Sequence, residues 1–155
     1  MSDLKAKLRE DLTTSMKARD KAKTGTLRML LSALTQEETS GTKHELTDED
    51  VLKVIAREIK KRRESAEVYA ANDRQELADI ELTEASILEA YQPVQLTDEE
   101  LNELIDTSMA EIAEQTGEEV SMRQMGQVMK AATAKAAGRV DGKRLSTAVK
   151  SRISS

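Results

Sequence analysis

The sequence predicts an all-α protein, because its apolar residues recur with a helical period and no segment alternates with a period of two. Leu27, Leu30, Leu31 and Leu34 repeat the i, i+3, i+4, i+7 stripe of an amphipathic helix. At three places a Ser or Thr is followed three positions later by Asp, Glu or Gln, a pattern typical of helix N-termini. We predict an N-terminal domain of about four helices, residues 1–92, and a small three-helix C-terminal domain, residues 93–155.

The N-terminal domain is divided by breaks between helical stripes. The first helix carries an apolar residue at every turn from Leu4 to Met16, and Asp20 is placed to cap the second. The second helix ends at the polar stretch around Gly41. A capping box of Thr47 with Asp50 opens the third. The break between the third and fourth helices falls at Asn72 and Asp73.

Pro93 ends the fourth helix, because proline lacks the amide hydrogen that an interior helical position donates. Capping boxes then open two of the helices that follow, Asp141 is placed to cap the last one, and glycines end the first two. These boundary residues are Thr97 with Glu100, Ser121 with Gln124, Gly117, Gly138 and Asp141. Inside the middle helix, Gly126 suggests a close approach, which we expect to be another helix rather than a ligand. Met122, Met125 and Met129 are expected to fill the core.

Composition excludes several classes of function. The chain has no Cys, Trp or Phe and only two Tyr, which excludes disulfides and thiol catalysis and leaves no aromatic platform for stacking bases. No apolar run approaches the length that spans a membrane, and the N-terminus does not look like a signal peptide, so we expect a cytoplasmic protein. No nucleophile loop, metal-ligand set or nucleotide-binding motif is visible, so we predict no catalytic residue, metal or cofactor.

Charge is strongly segregated near the C-terminus. The whole chain has a net charge of −5, yet its last 35 residues hold eight cations and one acid. The preceding stretch from Val94 to Glu119 contains nine acids and no Lys or Arg. Such segregation is typical of a surface that faces a polyanion. The alternative is that the basic and acidic segments pair within the fold.

The sharpest part of this basic segment is Arg139, Lys143 and Arg144, at the start of the last helix. Cations are unfavourable there because the helix dipole is positive, whereas a phosphate is favoured. Either a backbone phosphate or the acidic helix before them could compensate these charges. The candidate nucleic-acid-binding residues are Lys130, Lys135, Arg139, Lys143, Arg144 and Lys150.

A second basic cluster lies on the third helix, where five cations fall within seven residues. Five side chains at this spacing cannot share one helix face, so we expect some of them to pair with the acid-rich fourth helix. The secondary candidates are Arg57, Lys60, Lys61 and Arg63, beside Arg62.

Sequence blocks along the whole chain resemble the GatB/YqeY family, and in particular its small free-standing YqeY-like proteins. The blocks are TLRMLLSAL (Thr26–Leu34), EIKKRRES (Glu58–Ser65), YQPVQL (Tyr91–Leu96), MGQVMK (Met125–Lys130) and GRVDGK (Gly138–Lys143). The last two are similar to the tail of the B subunit of tRNA-dependent glutamine amidotransferases. The resemblance implies contact with tRNA. It also implies a carbon–nitrogen ligase label that would be inherited from a larger subunit this chain lacks.

Three hypotheses for function follow. The leading one is a non-catalytic module that binds tRNA or another structured RNA through phosphates and helix shape. The second is an accessory protein that supports carbon–nitrogen ligase chemistry, with glutamine as the amide donor, in a complex with amidotransferase subunits. The third is a protein-interaction adaptor that binds no nucleic acid. We expect no membrane association and no catalysis by the chain alone.

Overall fold

A computed structural model describes residues 2–154, and within them every regular element is helical. This confirms the predicted all-α class. The elements comprise seven α-helices and one 3₁₀ turn, Met122–Gln124, that leads into α6. The α-helices are α1 (Asp3–Lys17), α2 (Lys21–Thr39), α3 (Asp48–Ala71), α4 (Gln75–Glu89), α5 (Asp98–Thr116), α6 (Met125–Ala136) and α7 (Gly142–Ser154).

The helix termini are set by the local signals that the sequence contains. All three predicted capping boxes form both of their hydrogen bonds, and they begin at Thr47, Thr97 and Ser121. Asp20 caps α2 through the amide of Lys23, and Asp141 accepts the amide hydrogen of Arg144 at 2.8 Å. Such caps satisfy amides that have no partner inside the helix. The starts of these helices are therefore encoded locally.

The described chain forms two compact units, one ending at Gln92 and the other beginning at Pro93. Helices α1 to α4 make the N-terminal unit, in which α3 and α4 form a long hairpin. Its core is aliphatic and includes the fully buried Leu8, Leu27, Leu30, Ile55 and Leu88. Burial of such side chains contributes about 1.5–3 kcal/mol each.

Helices α5, α6 and α7 make the C-terminal unit and enclose a second core. Its central side chains are Ile105, Ile112, Val128, Leu145 and Val149. Helix α5 has 19 residues, as many as α2, and lies between the predicted boundary residues Thr97 and Gly117. Its acidic outer face lies beside the basic α6 and α7.

Two expectations about packing in the C-terminal unit were wrong. Gly126 is exposed, and a methyl group placed on it would meet no atom within 4 Å, so no helix approaches it closely. Met122 is half exposed, although Met125 and Met129 pack against the core as expected. Both errors concern which face of a helix is covered, and that depends on the neighbouring helices.

Candidate functional site

Arg139 and Arg144 hold the segment that enters the C-terminal unit. The Nε of Arg139 donates a 2.7 Å hydrogen bond to the carbonyl of Val94. The guanidinium of Arg144 donates to the carbonyl of Leu96 at 2.8 Å and to the carboxylate of Asp98 at 2.7 Å. The segment before α5 is thus fixed against the turn between α6 and α7.

The backbone adds to this attachment. The amide of Leu96 donates a 2.8 Å hydrogen bond to the carbonyl of Arg139, and the guanidinium of Arg139 lies 3.3 Å from the carboxylate of Glu100. The amide and hydroxyl of Thr97, followed by Arg139, hold the pKa of Glu100 below its ordinary value. The sequence left open whether a phosphate or the acidic helix compensates these cations. For Arg139 and Arg144, carboxylates of α5 do so.

Two further cations of the basic segment also pair with α5. Lys135 lies 2.5 Å from the carboxylate of Glu111, and Arg152 pairs with Asp106. A row of ion pairs therefore joins α5 to α6 and α7. Because these groups are partly exposed, each pair contributes roughly 0–1 kcal/mol to stability.

The remaining predicted cations of this unit, Lys130, Lys143 and Lys150, are exposed. Within residues 2–154, none of them has a carboxylate within 4.0 Å. Lys143 and Lys150 lie two turns apart on one face of α7, about 10 Å along its axis. Arg123, which the sequence analysis did not include in the candidate site, is also exposed and has no carboxylate partner in that part of the chain.

The secondary cluster on α3 is neutralised within the fold. Each of its four predicted members has a carboxylate within 4.0 Å. The pairs are Arg57 with Glu37, Lys60 with Glu64, Lys61 with Glu58, and Arg63 with Glu89. Pairing with α4, expected for some of these cations, is present at Arg63. The cluster therefore carries less uncompensated charge than its sequence suggests.

Arg62, in the same run of cations, forms a buried polar network. Its side chain is 5% exposed and donates to the carboxylates of Glu58 on α3 and Glu84 on α4, both at 3.1 Å. It also donates to the carbonyl of Glu58. Burial, followed by the charge of Glu84, raises the pKa of Glu81. The sequence signal was the i, i+4 spacing of Glu58 and Arg62, which we had not singled out.

No group of three or more His, Cys, Asp or Glu side chains in residues 2–154 is arranged to hold a metal ion. The described helices include none that is long and apolar enough to cross a membrane. His44 is exposed in the loop after α2, where its Nδ1 lies 2.8 Å from the carbonyl of Thr42. The candidate site that remains in the C-terminal unit consists of the exposed cations without a carboxylate partner in residues 2–154, which are Arg123, Lys130, Lys143 and Lys150.

Comparison with known proteins places this fold in a family. A family model described as "Yqey-like protein" matches residues 5–153, nearly the whole chain. The chain belongs to the YqeY-like family. This agrees with the resemblance seen in its sequence blocks.

Relatives of this YqeY-like chain include three fungal proteins. An uncharacterized protein of Schizosaccharomyces pombe is 35% identical over 91 residues, which cover 59% of this chain and 73% of the relative. The mitochondrial protein named Altered inheritance of mitochondria protein 41 is 32% identical over 87 residues in Kluyveromyces lactis, covering 56% of this chain and 47% of the relative. Its Meyerozyma guilliermondii counterpart is 34% identical over 85 residues, covering 54% and 43%. The matched region is under half the length of both mitochondrial relatives.

Proposed function

We propose that this chain is a non-catalytic RNA-binding protein whose C-terminal unit contacts the phosphates of a structured RNA such as tRNA. The observation that carries the proposal is that Lys130, Lys143 and Lys150 are exposed and lack carboxylate partners in residues 2–154. Such lysines can exchange their counterions for phosphates, which is the main source of affinity in nucleic-acid binding. Membership in the YqeY-like family supports the same partner, through the resemblance of its tail blocks to the amidotransferase tail.

The contact set proposed here is narrower than the one predicted from sequence. Arg139 and Arg144 hold the backbone of the entering segment, and Lys135 pairs with Glu111. A phosphate would have to compete with these internal partners. We therefore assign the first contacts to Lys130, Lys143 and Lys150.

Exposed Gly126 fits this proposal as well. It lies between Arg123 and Lys130 on an exposed part of α6, and open space surrounds the position of its missing side chain. Glycine costs about 1 kcal/mol relative to alanine inside a helix, and the close helix packing that we first expected there is absent. A sugar–phosphate backbone could approach α6 closely at this point.

The test is tRNA binding by the full chain between about 50 and 200 mM salt. We compare wild type with the tail variant K130Q/K143Q/K150Q and with a charge-matched control, K7Q/K43Q/K53Q, which changes three exposed lysines of the N-terminal unit. The logarithm of the binding constant falls as the logarithm of the salt concentration rises, and each lost phosphate contact should make this negative slope shallower by about 0.7–0.9. The slope of the tail variant should therefore be shallower than that of wild type by roughly two. The slope of the control should change much less.

If the tail variant and the control bound tRNA with the same affinity and salt dependence, the assignment of Lys130, Lys143 and Lys150 as phosphate contacts would be wrong. If a pull-down with this chain recovered amidotransferase subunits even after ribonuclease treatment, the result would instead favour the accessory role in carbon–nitrogen ligation. Glutamine hydrolysis by the purified chain would contradict the non-catalytic part of the proposal.

A further inference from the structure

The corner between α1 and α2 is a second place where exposed positive charge is left uncompensated. Helix α1 ends at Lys17 and α2 begins at Lys21. Within residues 17–28 there are five cations and one acid. The cations are Lys17, Arg19, Lys21, Lys23 and Arg28, which we call the corner cluster.

This corner is well ordered by hydrogen bonds. The amide of Asp20 donates to the carbonyl of Ser15 at 3.0 Å, and that of Arg19 donates to the carbonyl of Met16 at 3.1 Å. The hydroxyls of Ser15 and Thr24 are 2.9 Å apart and join the end of α1 to the start of α2. Arg19 has a φ of 58°, in the left-handed region that ends a helix sharply. The corner cluster therefore lies on two helix ends that are joined by a well-defined turn.

No member of the corner cluster has a carboxylate within 4.0 Å in residues 2–154. The acid in the turn, Asp20, accepts the amide hydrogen of Lys23 as the cap of α2. Arg28 lies 3.7 Å from the sulfur of Met16, which brings it beside the end of α1. All five are exposed except Lys23, which is half-buried.

The paired cations of α3 make the contrast clear. There, four neighbouring cations each have a carboxylate partner, as described above. Two lysines, Lys21 and Lys23, lie in the first turn of α2, where the helix dipole disfavours positive charge and the cap, Asp20, is the one acid within residues 17–28. A bound anion would relieve both this repulsion and the mutual repulsion of the cluster.

We propose that the corner cluster is a second contact surface of this chain for the phosphate backbone of a structured RNA such as tRNA. The choice of RNA as the partner rests on the proposed function. The surface consists of long cationic side chains without an aromatic residue, so it contacts phosphates and does not stack on bases. The N-terminal unit would then have an RNA contact surface of its own.

An anionic membrane surface fits these observations less well. Peripheral helices that bind membranes insert Trp, Phe or Leu beside their cations. Trp and Phe are absent from the chain, and the large apolar side chains exposed beside the cluster are two methionines, Met16 and Met29. The corner therefore offers charge with little apolar surface to insert.

The experiment uses the full chain with the corner variant K17Q/K21Q/K23Q. Its control is again K7Q/K43Q/K53Q, which removes the same number of positive charges from exposed lysines on α1, in the loop after α2 and on α3. Binding of a tRNA transcript is measured across about 50 to 200 mM salt. We expect the corner variant to bind the tRNA at least about tenfold more weakly at the low-salt end. Its slope of log K against log salt should be shallower than that of wild type by roughly two. The control should stay within about twofold of wild type.

The outcomes separate this inference from the proposed function. If the tail variant weakens tRNA binding and the corner variant matches the control, the corner proposal is wrong and the proposed function stands. If the corner variant weakens binding and the tail variant does not, the corner surface stands and the C-terminal assignment fails. Binding of wild type to phosphatidylserine vesicles but not to tRNA, lost in the corner variant, would overturn the RNA assignment in favour of a membrane.

Discussion

Arg144 donates a 2.8 Å hydrogen bond to the backbone carbonyl of Leu96, 48 residues earlier in the chain. Its neighbour Lys143 is exposed and has no carboxylate partner in residues 2–154. Two adjacent cations in one turn of α7 thus have different surroundings. One holds the C-terminal unit together, and the other is available to a ligand.

Replacing Arg144 by Ala should lower the free energy of unfolding of the C-terminal unit by about 1–2 kcal/mol, because hydrogen bonds from a charged group to Leu96 and Asp98 are lost. Lys143→Ala should change it by less than about 0.5 kcal/mol. Arg144→Lys should restore little, since an ammonium group cannot reproduce the planar geometry of the guanidinium. Urea unfolding of the full chain measures all three, and equal costs at the two positions would contradict this division of roles.

Arg62→Ala should destabilise the N-terminal unit by about 3–5 kcal/mol, because it leaves the carboxylates of Glu58 and Glu84 without their buried partner. The neighbouring Arg63→Ala removes an exposed pair with Glu89 and should cost less than about 1 kcal/mol. Thermal or urea unfolding of the two variants gives the comparison. A similar small cost for both would show that the Arg62 network is not structural.

The stability of the N-terminal unit should fall above about pH 10, because the hydroxyl of Tyr91 donates a 2.6 Å hydrogen bond to Asp11. Burial, and then this hydrogen bond to Asp11, raise the pKa of Tyr91 above its ordinary value. A group whose pKa is raised in the folded state contributes stability below its unfolded pKa and loses it as the pH rises. Tyr91→Phe should be less stable than wild type at pH 7, and the difference should shrink at alkaline pH in unfolding measurements.

Glu81→Gln should raise stability at pH 7. Burial and the nearby carboxylate of Glu84 raise the pKa of Glu81, so its ionisation is less favourable in the folded state than in the unfolded state. Its contribution is therefore fully present below its ordinary pKa of about 4.3 and declines as the pH rises. The advantage of the Gln variant should be smaller at pH 4 than at pH 7. An advantage that grows on acidification would show that the sign is wrong.

Gly126→Ala should stabilise the C-terminal unit by up to about 1 kcal/mol, because the added methyl group meets no atom and alanine favours the helix. If an RNA backbone approaches α6 at this position, the same variant should bind tRNA more weakly despite its greater stability. Unfolding and binding measured on one preparation separate the two effects. Unchanged tRNA affinity would remove Gly126 from the proposed interface.

Much of the fold could be predicted because helix boundaries depend on neighbouring residues. The three capping boxes, the caps at Asp20 and Asp141 and the end of α5 at Gly117 were all predicted correctly. The candidate site was less accessible. The cations on α3 formed the denser run in sequence, yet their carboxylate partners lie on α2 and α4 as well as on α3. The corner cluster was missed because its cations are spread over two helices and a turn.

The sequence by itself determined the helices, their ends and the segregation of charge, since all of these follow from spacing along the chain. Only the tertiary structure decided which charges remain unpaired. Arg139 and Arg144 are bound to the segment of Val94 and Leu96, whereas Lys143 is not. The physical reason is that an ion pair forms within about 4 Å, and the partners that come this close in the C-terminal unit are separated by 24 to 46 positions in the chain.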